Sequence, residues 1–296
     1  MSLAIVGCTV VDVIFSRVPR LPVWPRHTEF TATNLVLLPH GTIVTLGGNG
    51  ANAAYIAAVT GAEVELHTRI GDDALGGLAR CWLQQSGCRV IARTGGATAI
   101  NVTAANDRLE RTAMFHPGEP FTLPRRSGAR FLLVCGWPHP PLADLARGFS
   151  AARRRGTFTA LDAGPILGRP WSRAALRPVL AGVDLFLGNE YEIGRLTGAK
   201  NLPEALVRLR RDYPGHVVVK RGARGATWLP AGSSRPRAWP RRTVRVVNTV
   251  GAGDSFNGAL LGALSRGADF PTALAAAMRT AARVVGSPRG ILGLAK

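Results

Sequence analysis

The amino-acid sequence predicts an α/β fold with a mainly parallel central sheet, helices on both faces and a small β lid. Short runs rich in Val, Ile, Leu and Phe alternate with longer stretches whose apolar residues recur at helical spacing. Such strand–helix–strand repeats favour parallel strands, because each crossover helix covers one face of the sheet. Two further segments are rich in β-branched residues and contain no helical stretch, which predicts antiparallel ribbons. No repeat or long linker divides the chain, so we expect one domain over residues 1–296.

The predicted elements follow this alternation in order. The strands are short and apolar, at residues 4–7, 64–69, 131–136, 158–162, 185–187 and 217–220. Helical spacing predicts helices at residues 51–60, 77–86, 142–155, 191–198, 203–213, 253–265 and 271–285. The ribbon-like segments are residues 28–46 and 98–115, inside lid boundaries of about 15–46 and 97–116. An inserted sheet of this kind is expected to cover a site.

The composition excludes several classes of protein. Four scattered cysteines among 296 residues are too few for a disulfide scaffold, which predicts a reducing, cytoplasmic setting. No apolar run reaches 18 residues and the N-terminal residues lack the features of a signal peptide, so we expect no membrane association. The 37 basic against 18 acidic residues give a net charge of +19, which attracts polyanions. The basic residues are dispersed without interleaved aromatic residues, so they predict solvated faces and no specific nucleic-acid site.

The most informative stretch is Gly251-Ala252-Gly253-Asp254, which follows a β-run that ends at Asn248. A helix is expected to begin near Gly253, and the backbone N–H groups at its start would suit an anion such as phosphate. Asp254 would lie in the first turn, where a carboxylate can take a proton from an attacking hydroxyl during phosphoryl transfer. Taken alone, these four residues are equally compatible with a glycine-rich strand–helix turn.

A second group of residues occurs about 200 residues earlier. The run 47–54 is rich in glycine and alanine, so that Gly48 and Gly50 allow a ligand to approach the backbone. Asn49 and Asn52 in the same run supply amide donors and acceptors for hydroxyl groups. A Gly-Asp-Asp turn at 71–73 leads into another helix.

These stretches in this order resemble the ribokinase family of carbohydrate kinases, also called the PfkB family. The resemblance extends from Asp12 to the C-terminal helix, and both family signatures are present, at 47–77 and 248–258. It implies a ribokinase-like three-layer αβα sandwich with a β lid. It also implies ATP and Mg²⁺ as cofactors, and a homodimer formed through exposed edges of the lid.

The resemblance implies a role for each matching residue. Asp254 resembles the catalytic base, and the backbone of Gly251, Ala252 and Gly253 resembles the anion hole. Substrate contacts are expected from Asp12, Gly48, Asn49, Gly50, Asn52 and Asp254. ATP contacts are expected from Asn189, Lys220, Gly222, Gly225 and Gly253. Asn189 and Glu192 match an N-x-x-E motif that supports Mg²⁺ through water.

Two positions depart from the family pattern. Asn248 stands where the second signature usually begins with Asp, which in relatives helps to bind a monovalent cation. The amide keeps a carbonyl oxygen but loses the charge, which argues against activation by K⁺. Asn49 stands where ribokinases carry Lys, which makes D-ribose a weaker candidate and leaves fructose-like sugars, other sugars and nucleosides open.

The sequence therefore predicts an ATP-dependent kinase that phosphorylates a hydroxymethyl group of a sugar. The first alternative is a nucleoside kinase of the same family, which a stacking aromatic residue in the lid, Phe30 or Phe115, would favour. The second is a non-catalytic nucleic-acid-binding protein on the same fold, suggested by the charge alone. Asp162 is expected to organise the site, and Arg111 in the lid is expected either to contact substrate or to face solvent.

Overall fold

The alternation in the sequence produces a central sheet that is parallel over most of its width. The computed structural model describes residues 2–22, 35–38, 40–108, 110–119, 123–124, 127–136, 141–164, 172–240, 243–247 and 249–294. In these ranges the strands are β1 (Leu3–Val6), β2 (Val10–Phe15), β3 (Ile43–Gly47), β4 (Val64–Arg69), β5 (Arg89–Arg93), β6 (Ala99–Ala105), β7 (Arg111–His116), β8 (Phe131–Cys135), β9 (Phe158–Asp162), β10 (Leu185–Asn189), β11 (His216–Lys220), β12 (Ala226–Leu229) and β13 (Arg237–Trp239). Nine of them form one sheet in the order β13-β12-β11-β10-β9-β8-β1-β4-β5. Two of its pairings are antiparallel, β11 with β12 and β12 with β13, and the other six are parallel.

Helices cover both faces of this sheet. They are α1 (Asn49–Val59), α2 (Ala74–Gln85), α3 (Leu142–Arg154), α4 (Arg173–Leu180), α5 (Glu190–Thr197), α6 (Leu202–Arg210), α7 (Ala252–Ser265) and α8 (Phe270–Val285), with short 3₁₀ helices at Gly222–Arg224 and Gly290–Leu294. Residues of α1, α2, α7 and α8 form one buried cluster, and residues of α3 to α6 form another. Strand β1 contributes Ile5 to the first cluster and Val6 to the second, as alternation along a strand requires. The predicted three-layer αβα architecture is confirmed.

All six predicted strands and seven predicted helices are present within a few residues of their expected bounds. The sequence prediction did not include β2, β5, β12, β13 or α4, although the β2 segment is rich in β-branched residues. Strand β5 alternates arginines with apolar residues at the edge of the sheet, and β13 has only three residues. Helix α4 contains Pro178, which interrupts the helical pattern in the sequence.

A second sheet contains four strands in the order β3-β2-β6-β7. Its central pair, β2 and β6, is parallel, whereas the two outer pairings are antiparallel. This sheet includes β2, which carries Asp12 and ends at residue 15. The small sheet thus begins before the predicted lid boundary near residue 15. Residues 23–34 and 39 of the first predicted ribbon region lie outside the described part of the chain.

Helices α1 and α7 pack so closely that their contact admits only small residues. A Cβ atom on Gly258 of α7 would lie 2.2 Å from the carbonyl oxygen of Ala53 on α1. A Cβ atom on Gly262, one turn further along, would lie 3.4 Å from Ala57. The alanine- and glycine-rich sequences of both helices therefore allow their backbones to approach each other.

We predict that Gly258→Ala lowers the free energy of unfolding by about 1–3 kcal/mol, because the new methyl group forces α1 and α7 apart. The control is Gly77→Ala in α2, where a Cβ atom would meet no atom within 4 Å. That change should leave stability unchanged or raise it by up to about 1 kcal/mol, since alanine favours helix more than glycine does. Urea unfolding measures both variants, and equal effects would contradict the packing argument.

Candidate active site

The carboxyl ends of three neighbouring parallel strands carry the polar residues of the candidate site. Strand β11 ends at Lys220, β10 at Asn189 and β9 at Asp162. Asn189 pairs in register with Lys220, and Leu187 of the same strand pairs with Asp162. Ligands of open α/β sheets bind outside such strand ends, so the sheet places these side chains where a ligand would lie.

The N-terminus of α7 faces the same region. Gly251 caps the helix with a φ of 74°, a left-handed conformation that strains other residues. A Cβ atom there would also lie 3.2 Å from both the Asn52 amide nitrogen and Ile291. The first N–H groups of a helix have no intrahelical partner, although the N–H of Ala252 makes a long 3.4 Å bond to the Thr249 carbonyl. The 251–253 backbone thus occupies the position predicted for an anion hole.

Asp254 lies in the first turn of α7 with its carboxylate bound to α1. The Asn52 Nδ2 atom donates to Asp254 Oδ2 at 3.0 Å. Burial raises the pKa of Asp254 to about 6, despite the opposing effect of the Asn52 hydrogen bond. The nearby Asp162 charge adds to the increase and Lys220 opposes it. A carboxyl with this pKa is ionised near neutrality and is basic enough to accept a proton.

Lys220 forms a buried ion pair beside Asp254. Its Nζ donates to Asp162 Oδ1 at 3.0 Å, and the two side chains are only 15% and 2% exposed. Burial alone would lower the pKa of Lys220, but the charges of Asp162 and Glu192 outweigh it and raise the pKa. A Cβ atom on Gly253 would lie 3.6 Å from Lys220 Nζ, so the ammonium group lies against the start of α7. The site therefore holds a fixed positive charge next to the predicted anion hole.

Asn189 and Glu192 form a capping box at the start of α5. The Asn189 side chain accepts from the Glu192 N–H, and Glu192 Oε2 accepts from the Asn189 N–H, both at 2.8 Å. Glu192 Oε1 accepts from Asn189 Nδ2, also at 2.8 Å. Burial, with the nearby Asp162 charge, raises the pKa of Glu192. Both residues thus face the cluster around Lys220, but their side chains also stabilise a helix terminus.

The loop after β11 contains Gly222 and Gly225, with φ values of 54° and 89°. Both values favour glycine, and the loop is closed by a 2.8 Å bond from the Arg221 N–H to the Gly225 carbonyl. The Arg221 side chain pairs with Glu190 at 2.8 Å, and Arg224 also contacts that carboxylate. Arg221 is therefore held by Glu190 of α5 and does not point freely into solvent.

A cavity of about 510 Å³ lies between the small sheet and the start of α7. Its lining includes the predicted residues Asp12, Gly48, Asn49, Asn52, Gly251 and Asp254. Gly50 does not line it, because this residue is buried against Gly7, whose Cα a Cβ on Gly50 would approach to 2.5 Å. Most of the predicted substrate-binding residues thus line one cavity, whereas Gly50 packs against Gly7 instead of lining it.

Asp12 and Asn49 are fixed by neighbours in the cavity wall. Asp12 Oδ1 accepts from Asn101 Nδ2 at 3.0 Å, and burial raises the pKa of Asp12. Asn49 Oδ1 accepts from the Cys8 thiol at 2.9 Å, and burial raises the pKa of Cys8 to about 11. Both side chains are oriented before any ligand binds.

Sequence patterns do not reveal four polar residues of the cavity wall, namely Thr9, Arg69, Asn101 and Glu119. Asn101 lies on β6, which pairs in parallel with β2 and so faces Asp12 directly in register. The alternation along β6 indicates that Asn101 shares one face of the strand with its neighbours at every second position. That Asn101 lies beside Asp12, 89 residues earlier in the chain, follows only from the pairing of β2 with β6 in the fold. Phe115, named as a candidate stacking residue, also lines the cavity, whereas Phe30 lies outside the described residues.

Two other predictions concern the segment before α7. Asn248 lies outside the residues that the structure describes. Arg111 of β7 reaches this segment, because its Nη2 donates to the Thr249 hydroxyl at 2.5 Å. The lid strand thus contacts the chain two residues before Gly251.

The described part of the chain contains no helix long and apolar enough to cross a bilayer. It also contains no cluster of three or more His, Cys, Asp or Glu side chains arranged to hold a metal ion.

Known structures share this architecture. A ribokinase from Cryptococcus neoformans var. grubii serotype A, solved in complex with ADP, superposes with a TM-score of 0.80. The two chains are 23% identical, and the match covers 99% of this chain and 96% of that one. The fold is thus the ribokinase-like α/β fold.

Sequence comparison then identifies the family. The profile of the pfkB family of carbohydrate kinases matches residues 21–295. A cytidine kinase of Thermococcus kodakarensis is 27% identical over 247 residues, covering 78% of this chain and 85% of the relative. A fructokinase of Klebsiella pneumoniae is 29% identical over 251 residues, covering 77% and 81%. The chain belongs to the pfkB family and is a carbohydrate kinase.

We predict that Lys220→Met destabilises the protein by about 3–5 kcal/mol, because it leaves Asp162 buried without its counter-ion. The double variant Lys220→Met/Asp162→Asn should recover much of this loss, since the buried carboxylate that pairs with Lys220 is then neutral. Lys200→Met, which removes an exposed lysine, serves as the control. Denaturant unfolding compares the three proteins. An equal loss in the single and double variants would show that the ion pair is not the cause.

Proposed function

We propose that the protein transfers the γ-phosphoryl group of ATP to a hydroxymethyl group of a sugar. The observation that carries this proposal is the position of Asp254, a half-buried carboxyl at the N-terminus of α7 that also opens on the cavity. The cavity presents Asp12, Asn52 and Asn101 to hydroxyl groups. Asn52 Oδ1 is buried without a hydrogen-bond partner in the described residues, so it is an acceptor available to a sugar hydroxyl.

In the proposed reaction, the acceptor hydroxyl lies against Asp254 in the cavity. Its oxygen forms a bond to the γ-phosphorus while the bond from that phosphorus to the bridging oxygen breaks, and ADP leaves. The hydroxyl proton passes to the Asp254 carboxylate, which Asn52 holds in position. Negative charge on the transferring group is stabilised by the 251–253 backbone N–H groups and by the Lys220 ammonium group.

ATP would bind across the strand ends on the other side of Asp254. Asn189 pairs in register with Lys220, Lys220 lies against Gly253, and Gly222 and Gly225 lie in the loop that follows Lys220. These glycines would allow phosphate oxygens to approach the backbone. Mg²⁺ fits this donor set, because the carboxylate oxygens of Glu192 are hard ligands with lone pairs left for water. Asn189 and Glu192 would hold the ion through water, and bound Mg²⁺ would neutralise charge on the ATP phosphates.

The small sheet has the position of a lid over the acceptor. Strands β6 and β7 supply Asn101, Ala113 and Phe115 to the cavity wall. A closed lid would exclude water and limit hydrolysis of ATP. Arg111 would stabilise closure through its bond to Thr249. We also propose a cytoplasmic location, in keeping with four free cysteines.

A nucleoside is the second candidate acceptor. Phe115 lines the cavity and could stack on a base, while the cytidine kinase named above is a relative in the same family. Preferential turnover of nucleosides over free sugars would favour this alternative.

We predict that Asp254→Asn loses turnover by orders of magnitude but still binds ATP, because the amide cannot accept the proton. In the wild type, kcat/KM should fall as the pH falls through about 6, where the raised pKa of Asp254 leaves the base protonated. Coupled ADP release measures the pH profile. Asp144→Asn, at a carboxylate on α3 that pairs with Arg147, is the matched control. Near-normal turnover in Asp254→Asn would overturn the assignment of the base.

We further propose that two copies pair through the lid. Strand β7 is an edge strand of the small sheet, all six of its residues are exposed, and Met114 is 73% exposed. Such an edge is a template for a second strand. We expect light scattering at micromolar concentration to give a dimer mass, and Met114→Lys to shift it toward the monomer. A wild-type monomer would contradict the proposal, and Val207→Lys, at an exposed apolar residue of α6, is the control.

A further inference from the structure

The end of the cavity away from Asp254 contains a guanidinium group. Arg69, at the end of β4, lines the cavity with a side chain that is 25% exposed. It is the one arginine or lysine among the described residues of the cavity lining. None of the roles assigned above uses it.

This guanidinium has few partners in the described structure. Arg69 Nε is buried and has no hydrogen-bond partner among the described residues. The contact from Nη2 to Glu119 Oε2 is 3.7 Å, which is longer than a hydrogen bond. Glu119 is 50% exposed, so water competes for its carboxylate. A half-buried guanidinium with unused donors leaves a desolvation penalty that a ligand can relieve.

The sheet order places Arg69 opposite the reacting end of the cavity. Asp254 interacts with Asp162 on β9 and with Lys220 on β11. Strands β8 and β1 lie between β9 and β4, so the ends of β9 and β4 are three strand spacings apart. At ~4.8 Å per spacing this is roughly 14 Å between the backbones of the two strand ends. Arg69 and Asp254 both line the cavity. An acceptor that presents a hydroxyl to Asp254 would therefore direct its other end toward Arg69.

We propose that the acceptor is an acidic sugar derivative whose anionic group, a carboxylate or a phosphate, binds Arg69. This inference rests on the proposed kinase function and assigns the substrate class of the same site. The planar guanidinium matches either anion with two parallel hydrogen bonds. The carboxylates of Asp12 and Asp254 would repel the anion from the reacting end, so that charge alone orients the acceptor. Glu119 turns toward solvent as the anion replaces it, and the net charge of +19 attracts anionic substrates.

The test compares matched acceptors in the ADP-release assay: gluconate with glucose, and fructose 6-phosphate with fructose. Each offers a hydroxymethyl group, and the two pairs distinguish a carboxylate from a phosphate. We expect the wild type to prefer the anionic member of at least one pair in kcat/KM by about tenfold to a hundredfold. Arg69→Met should abolish that preference and leave turnover of the neutral member within about threefold of wild type.

The control variant is Arg93→Met. Arg93 lies beside Arg69 in register on β5, is exposed and does not line the cavity, so its loss removes the same charge without touching the site. We expect this variant to keep the preference. If Arg69→Met does not fold, Glu119→Gln provides a second test, because removal of the competing carboxylate should raise kcat/KM for the anionic acceptor.

Three outcomes would overturn the inference. The first is a wild-type enzyme that uses neutral sugars or a nucleoside such as cytidine as well as the anionic acceptors or better. The second is an Arg69→Met variant that loses neutral and anionic turnover equally. In both cases ADP release still exceeds the Asp254→Asn background, so the kinase function stands. The third is no release above that background with any acceptor, which would overturn the proposed function and the inference with it.

Discussion

The close approach of α1 to α7 is the contact on which the rest of the site depends. Gly258 allows the two backbones to meet at Ala53, and one turn earlier on α7 the same approach brings Asp254 within 3.0 Å of Asn52. The helix whose N-terminus forms the proposed phosphate site is thus also the helix that carries the Asp254 carboxyl. Moving α1 and α7 apart by the width of one methyl group would move both the N-terminus of α7 and Asp254 away from the strand ends. The packing of α1 against α7 therefore also sets the geometry of the proposed chemistry.

The buried charges around Asp254 balance one another. Asp162 and Glu192 surround Lys220 and keep it charged in a site where burial alone would favour the neutral amine. Burial raises the pKa of Asp254 to about 6, the Asn52 hydrogen bond opposes that rise, and Lys220 opposes the smaller contribution of Asp162. A carboxyl with a pKa much lower would be a weak base, and one much higher would be protonated near neutrality. The ion pair thus contributes to the basicity of a residue that it does not touch.

The sequence predicts the parts of this structure that depend on local patterns. Alternating strands and helices predict the sheet and its layers, and the glycine-rich turns predict Asp254, Asn52 and Gly48 in one cavity. Strands β5 and β13 were missed because charge or shortness obscures the period of two. Asn101 and Arg69 were missed because their roles come from contacts between distant segments, such as the parallel pairing of β2 with β6. Gly50 fits a ligand-binding pattern in the sequence, yet it serves close packing against Gly7.

The net charge of +19 has a different meaning once the contacts are known. Arginines on the surface form local ion pairs, as Arg89 does with Glu65 and Arg221 with Glu190. The proposed phosphate side of the site, in contrast, groups Asp162, Glu192 and Asp254 around Lys220. Under the proposed function, such an acidic cluster would disfavour ATP alone and favour ATP that arrives with Mg²⁺, because the ion would add positive charge. The positive field of the surface would then attract anions to the protein, while the local carboxylates would favour the metal-bound nucleotide.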